Sequence, residues 1–75
     1  MFKIKEIWEN LTEKEQKKLG FNHLQYLLRE FHRGDYNICL KKAMYCWHAN
    51  LLELENIYIK IDDLLKKEAW RSWIP

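Results

Sequence analysis

The sequence predicts an all-α fold, a small helical bundle in which two or three short helices pack on one long C-terminal helix. Only 2 Gly and 1 Pro occur among 75 residues, and 48% of the residues are hydrophobic. This composition leaves few turns for strands and favours a packed chain over a disordered one. The length suits a single domain over residues 1–75, and the apolar residues recur at helical spacing.

The long helix is predicted from a seam of eight apolar residues that alternate in steps of four and three. No Gly or Pro interrupts the seam, so its side chains share one side of a helix, as in a coiled coil. An unbroken helix from Tyr36 to Lys67 is roughly 45 Å long, which exceeds the diameter expected of a compact chain of this size. We therefore expect its end to protrude or the helix to break near Asp62 and Asp63. Trp47, at the centre of the seam, is expected to be buried. The seam consists of Leu40, Met44, Trp47, Leu51, Leu54, Tyr58, Ile61 and Leu65.

A second apolar row accompanies the seam on the same predicted helix. Its members are spaced by seven residues and lie roughly 130° around the helix from the seam. A helix with two apolar faces must be covered from two sides, and uncovered patches of this kind usually mark interaction sites. We therefore expect this row to bind another protein or a second copy of the chain. The row consists of Ile38, Tyr45, Leu52 and Ile59.

Two short helices are predicted near the start of the chain. The first covers residues 2–9, and its apolar face is the alternative cover for the second row. The next helix begins at Thr12, which has the spacing of a capping box with Glu15, and it ends at Gly20. The apolar face of the first helix carries Ile4, Ile7 and Trp8.

A third helix is predicted to begin at Asn22 as its N-cap, with Gln25 in the reciprocal position. Gly34 ends this helix. Asp35 is then a natural N-cap for the long helix, which is expected to start at Tyr36. The core stripe of the third helix consists of Leu24, Leu27, Leu28 and Phe31.

Residues 11–31, LTEKEQKKLGFNHLQYLLREF, resemble a helix-turn-helix motif with KKLGF at its turn. The sequence departs from the motif at Gln16, where a small residue normally lets the helices cross. The resemblance implies an alternative function as a dimeric DNA-binding regulator with nucleic acid as its partner. It places His23, Gln25, Tyr26 and Arg29 in the major groove and Lys14, Lys17 and Lys18 near phosphates.

Residues 34–47, GDYNICLKKAMYCW, resemble the second helix of a tetratricopeptide repeat. The small residues at the matching spacing are Cys39, Ala43 and Cys46. The first half of the repeat is missing, because Leu27 stands where its glycine belongs, and one repeat could not bury its own face. The pattern therefore indicates close packing of two helices.

No residue pattern predicts a metal site, a cofactor or catalysis. Cys46 and His48 lie two positions apart on a predicted helix and point to different sides, unlike the ligands of a closed zinc site. The adjacent Asp62 and Asp63 cannot converge on one substrate from a helix. We therefore expect a protein that is not an enzyme and holds no metal or cofactor.

The cysteines and the N-terminal segment indicate the cellular compartment of the protein. Two helical turns, roughly 10 Å, separate Cys39 from Cys46, which is too far for a disulfide and suits a reducing compartment. The segment MFKIKEIWEN lacks the apolar region of a signal peptide, and no apolar run is long enough to span a membrane. A formal net charge of +2 gives only weak attraction to nucleic acid. We expect a cytoplasmic protein, in the host cell if it is phage-encoded, with no membrane partner.

The C-terminal KKEAWRSWIP places Trp70 and Trp73 on one face beside basic side chains. This face is expected to cap the bundle or to dock in a groove of a partner, with a membrane-surface anchor as a further alternative. The function that the sequence supports best is a small non-enzymatic regulator, adaptor or inhibitor, as phages and plasmids often encode, that binds another protein. Its predicted partner-binding residues are Ile38, Tyr45, Leu52, Ile59, Trp70 and Trp73.

Overall fold

Five α-helices follow one another along the chain, and no strand occurs among the residues that the structure describes. The structure, a computed structural model, describes residues 4–73, with side chains described as far as Lys67. The predicted all-α class is confirmed, and the helices form a body of 40 × 24 × 17 Å. They are α1 (Ile4–Glu9), α2 (Glu13–Leu19), α3 (Phe21–His32), α4 (Ile38–His48) and α5 (Leu52–Trp73).

The predicted capping box at the start of α2 is confirmed. The Thr12 hydroxyl accepts a hydrogen bond from the backbone N–H of Glu15 at 3.2 Å. The Glu15 carboxylate in turn accepts one from the backbone N–H of Thr12 at 2.8 Å. Two amides that the helix leaves without partners are thereby satisfied.

Gly20 is the single residue between α2 and α3, so the predicted N-cap at Asn22 is wrong. Gly20 has a φ of 87°, a left-handed conformation that favours glycine. Its N–H donates to the carbonyl of Gln16, as a helix stop should, while its own carbonyl accepts the N–H of Leu24. One residue thus ends α2 and begins α3, and Asn22 lies inside the first turn of α3.

The end of α3 at Gly34 is confirmed. Gly34 has a φ of 112°, and its N–H donates to the carbonyl of Phe31 at 3.1 Å. The N–H of Asp35 donates to the carbonyl of Glu30 at 3.0 Å. These two bonds form a Schellman motif, which satisfies the last carbonyls of the helix.

The next helix begins later than predicted. It starts at Ile38 after Asn37, and no side chain caps it. Asp35, the predicted N-cap, instead directs its carboxylate to the ammonium of Lys41 at 3.0 Å. The carboxylate therefore neutralises a lysine in α4 and does not cap its first amides.

The prediction of one unbroken helix from residue 36 to residue 67 is wrong, because the chain turns at Asn50. The alternative of a break near Asp62 and Asp63 is also wrong, because α5 continues through both residues. Asn50 has a φ of 60°. Its N–H donates to the carbonyl of Trp47 at 3.2 Å, and the N–H of Leu51 donates to the carbonyl of Cys46 at 2.8 Å. This is a second Schellman motif, with Asn in the position that glycine usually takes. The turn folds α4 back against α5 as an antiparallel hairpin.

Every helix contributes to the core or flanks it. Leu24, Leu27, Ile61 and Leu65 are fully buried. The contact between α4 and α5 is the most extensive between any two helices, and α4 enters it with small side chains. The buried apolar residues are Ile7, Leu11, Leu19, Leu24, Leu27, Leu28, Phe31, Ile38, Cys39, Ala43, Cys46, Ile57, Tyr58, Ile61 and Leu65.

Candidate protein-binding surface

The first half of the heptad seam lies on the outside of the molecule. Met44 and Trp47 are 63% and 60% exposed, so the prediction that Trp47 is buried is wrong. The cause is the turn at Asn50, because α4 then packs inward through Cys39, Ala43 and Cys46. Small side chains let two helices approach closely, and they leave the large side chains of α4 facing outward. In the second half of the seam, in α5, Tyr58, Ile61 and Leu65 belong to the core, and Leu54 is partly buried against it.

Charge effects on the two thiols show how α4 lies against α5. The pKa of Cys39 is raised to about 12, first by burial and then by the nearby carboxylate of Asp62. The pKa of Cys46 is also raised, by burial and by the carboxylate of Glu55. Both carboxylates belong to α5, the helix against which α4 packs most extensively.

One side of this hairpin is covered by α3. The phenol oxygen of Tyr58 in α5 is hydrogen-bonded to Nε2 of His23 in α3 at 2.7 Å. On α4, the ammonium of Lys42 lies 6.0 Å from the ring centroid of Tyr26 in α3. The opposite side of the hairpin faces away from α3.

Apolar side chains from both helices line that open side. On α4 they follow each other at spacings of four and three and lie across the helix from Lys42. On α5, Ile59 lies between Glu55 and Asp62 along the flank that adjoins α4, and it is exposed. The turn adds two more exposed leucines. We call this surface the hairpin face, and it consists of Leu40, Met44, Trp47, Leu51, Leu52 and Ile59.

The predicted second row is divided between different surroundings. Ile38 is buried in the core and is not available to a partner. Tyr45 is 70% exposed, but it lies about 100° around α4 from Met44, on the far side of Lys41. Leu52 and Ile59 are exposed and belong to the hairpin face. The turn at Asn50 therefore joins half of each predicted row in one surface.

The charged residues of α4 and those of the first part of α5 differ in sign. Helix α4 carries Lys41, Lys42 and His48 but no acidic residue. The first eight residues of α5 carry Glu53 and Glu55 but no Lys or Arg. The imidazole of His48 lies beside the indole of Trp47, with ring centroids 4.9 Å apart. Of these groups, Lys41 is paired with Asp35, and Glu53 is paired with Lys14 and Lys18, so much of this charge is neutralised within the chain.

The segment that resembles a helix-turn-helix motif directs several of its polar groups toward the protein itself. His23 is hydrogen-bonded to Tyr58, and its ring stacks on Tyr26 at a centroid distance of 5.8 Å. Gln25 and Arg29 are exposed. Gln16, where the motif has a small residue, donates from its side-chain amide to the carbonyl of Trp8 at 2.8 Å.

The lysines of α2 are paired with carboxylates. Lys18 lies 2.9 Å and Lys14 3.8 Å from Glu53, and Lys17 lies 3.6 Å from Glu13. The hydrogen bond from Lys18 and the charge of Lys14 lower the pKa of Glu53.

The ammonium of Lys60 lies 3.0 Å from the carboxylate of Glu15. The hydrogen bond from the backbone N–H of Thr12, and then the one from Lys60, lower the pKa of Glu15. A shallow groove of about 200 Å³ lies between α2 and α5, and its charged groups are these same ion-paired residues. The charged groups of this groove are therefore already paired between α2 and α5.

The described side chains include no group of three or more His, Cys, Asp or Glu that could hold a metal ion. Both cysteines are buried as free thiols. The buried carboxylate of Asp62 pairs with Lys66 at 3.2 Å. Lys66 also donates to the side-chain oxygen of Asn37 at 3.4 Å, which ties α5 to the start of α4. These polar groups serve the packing of the hairpin.

The predicted tryptophan anchors Trp70 and Trp73 lie in the last turns of α5, beyond the side chains that the structure describes. None of the described helices is long and apolar enough to cross a membrane.

No protein-family model, no curated protein and no solved structure matches the chain. A function is therefore inferred from the geometry of the chain itself.

Proposed function

We propose that this chain is a small non-enzymatic regulator, adaptor or inhibitor that binds another protein through the hairpin face. The partner presents an amphipathic helix or an apolar surface of similar size, because a groove between two helices accepts such a shape. The observation that carries the proposal is the exposure of Trp47 amid aliphatic side chains. Tryptophan is the residue most enriched among the anchors of protein interfaces.

The size of the hairpin face supports a role in binding. Large apolar side chains each present up to roughly 200 Å² when free. Six of them at 39–63% exposure therefore amount to on the order of 600 Å². Monomeric proteins rarely leave larger contiguous apolar patches in water, and patches of this size are often functional.

The core of the protein gives the face a rigid base. Ala43 and Cys46 are buried on the inner side of α4, and the Schellman motif at Asn50 fixes the turn. Met44 and Trp47 are thus presented by a packed helix and not by a mobile loop. A preorganised surface loses little entropy on binding, which favours affinity.

The test compares two exposed aromatic residues of α4. Trp47→Glu charges the hairpin face, whereas the matched variant Tyr45→Glu charges a different side of the same helix. The wild-type chain and each variant are immobilised, and the proteins retained from a lysate of the native host are quantified by mass spectrometry. We expect a specific partner to be retained by the wild type and by Tyr45→Glu, and to be lost by Trp47→Glu.

Two outcomes would contradict the proposal. In one, the two variants lose the partner equally, or neither loses it, with helicity unchanged by circular dichroism. In the other, the wild type retains duplex DNA with an affinity that falls steeply with salt, as expected for contacts to phosphates. That result would favour the helix-turn-helix function.

A further inference from the structure

We infer that the surface where α3 adjoins α4 binds single-stranded nucleic acid. Two cationic and two tyrosine side chains from these neighbouring helices form it, and we call it the basic-aromatic patch. On α4 the patch lies across the helix from Trp47. The inference therefore concerns a second surface and does not rest on the proposed function. The basic-aromatic patch consists of Tyr26, Arg29, Lys42 and Tyr45.

The positive charge of the chain is concentrated in this part of the molecule. Residues 21–50 carry four Lys or Arg and two Asp or Glu, an excess equal to the formal net charge of +2 of the whole chain. Both acidic residues are already paired, one with Arg33 and the other with Lys41. Arg29 and Lys42 have no carboxylate partner among the described residues. Both cations are therefore available to an anionic ligand.

The lysines on the other side of the molecule are not available in this way. Each described lysine of α2 and α5 lies 3.8 Å or less from a carboxylate oxygen of the chain. The helix-turn-helix resemblance assigns the lysines of α2 to the phosphates of a duplex, and their charge is neutralised here. A short track of phosphates along the basic-aromatic patch needs none of them. The paired lysines are Lys14, Lys17, Lys18, Lys60, Lys66 and Lys67.

The two tyrosines flank Lys42. Its ammonium lies 6.0 Å from the ring centroid of Tyr26, and Tyr45 follows three positions later on the same side of α4. Tyr26 is held in place by His23, whose ring stacks on it at a centroid distance of 5.8 Å. Tyr45 is 70% exposed and makes no ring contact in the described part of the chain. Its ring is therefore free to stack on a base, and Arg29 lies one helical turn beyond Tyr26.

The combination of rings and cations favours a single strand over other anions. An acidic peptide or a polyphosphate can pair with Arg29 and Lys42, but it has no planar group to stack on the tyrosines. A duplex keeps its bases stacked inside the double helix, where Tyr45 cannot reach their faces. A single strand presents phosphates and open base faces together, and proteins bind it through cations interleaved with aromatic side chains.

Fluorescence anisotropy with a labelled oligouridylate of about 12 nucleotides tests the phosphate contacts. We expect the logarithm of the affinity to fall with the logarithm of salt concentration at a slope of about −1.4, because each of two contacts to a single strand contributes about −0.7. Lys42→Gln should weaken binding and reduce the slope to about −0.7. The control Lys17→Gln changes the net charge equally at a paired lysine and should leave the slope unchanged. Equal losses in both variants would overturn the inference, as would a wild-type chain that does not bind the oligonucleotide at low salt.

Substitutions of Tyr45 test the stacking, with helicity checked by circular dichroism. Tyr45→Ala should weaken binding of the oligouridylate by about fivefold or more, the effect of losing one stacked base, whereas Tyr45→Phe should stay within about twofold of the wild type. Inorganic polyphosphate should bind more weakly than the oligonucleotide and should not respond to Tyr45→Ala. Equal affinity for both ligands, or no effect of Tyr45→Ala, would show a patch that binds anions without stacking and would overturn the inference. Capture of a protein partner concerns Trp47 on the other side of α4, so the failure of one proposal leaves the other standing.

Discussion

His23 of α3 and Tyr58 of α5 are joined by a hydrogen bond of 2.7 Å between the imidazole Nε2 and the phenol oxygen. Their rings meet edge to face at a centroid distance of 5.7 Å. The two residues are 35 positions apart in the chain, so their bond links two distant helices. Because the pKa of this imidazole is lowered in the folded chain, the stability of the fold depends on pH.

The pKa of His23 is lowered from its usual value of 6.5, first by burial and second by the positive charge of Lys42. The unfolded chain therefore binds the proton before the folded chain does, so the free energy of unfolding falls as the pH drops below 6.5 toward the folded value. Urea denaturation at pH 7.5 and pH 5.5 should show this loss in the wild type, and a smaller one in His23→Gln. The exposed-histidine variant His48→Gln should keep the wild-type slope. Equal slopes in all three chains would show that His23 is not responsible.

Trp47 and Ile61 belong to the same predicted seam but should respond differently to truncation. Ile61 is fully buried, so Ile61→Ala should lower the free energy of unfolding by about 2–5 kcal/mol. Trp47→Ala removes an exposed side chain and should change it by less than about 1 kcal/mol. Urea denaturation of both variants at the same low protein concentration provides the comparison. Similar large losses in both variants would mean that Trp47 is part of the core.

Asn50 holds a backbone conformation that most side chains avoid. Asn50→Val should lower the free energy of unfolding by about 1–2 kcal/mol, because a β-branched side chain is strained at positive φ. The melting temperature should fall by roughly 4–8 °C per kcal/mol in a domain of this size. Asn50→Gly should melt within a few degrees of the wild type. Asn56→Val, inside α5, is the control for the amino-acid change, and an equal loss there would count against strain at position 50.

Cys39 and Cys46 should react slowly with thiol reagents. Burial raises the pKa of both thiols, so little of the reactive thiolate forms at pH 8, and the sulfur atoms are also shielded from solvent. Titration with Ellman's reagent should be slow in buffer and fast in 6 M guanidinium, a denaturant concentration of about the size needed to unfold stable domains. A third thiol introduced by Gln25→Cys, at an exposed site, should react at once. Native thiols that react as fast as this one would show that the hairpin opens readily.

The sequence predicts a helix end correctly where a single residue type determines the local backbone conformation. Thr12 and Glu15 specify a capping box through their own hydrogen bonds, and Gly34 supplies the positive φ that ends α3. Asn22 illustrates the opposite case. It is a good N-cap by residue type, but Gly20 begins α3 two residues earlier because the same glycine also ends α2.

The break in the predicted long helix lies at Asn50, and neither Gly nor Pro marks it. Asn is the other residue that adopts the left-handed conformation readily, and Asn50 was the available signal. This single error moved Trp47 from the surface to the core in the prediction. It also hid the fact that Leu52 and Ile59 join Met44 on one face. The bond between His23 and Tyr58 connects distant segments, and no local pattern encodes it.

The Schellman turn at Asn50 has a consequence for how copies of the chain can exchange parts. The heptad register continues through the turn, since Trp47, Leu51 and Leu54 keep the spacing of an uninterrupted helix. If the turn straightens, α4 leaves its own α5 and packs on the α5 of another molecule, using the same contacts between the same residues. This is domain swapping about a hinge of one residue. The preference for a closed hairpin over interlocked chains then depends on how easily position 50 holds a left-handed backbone.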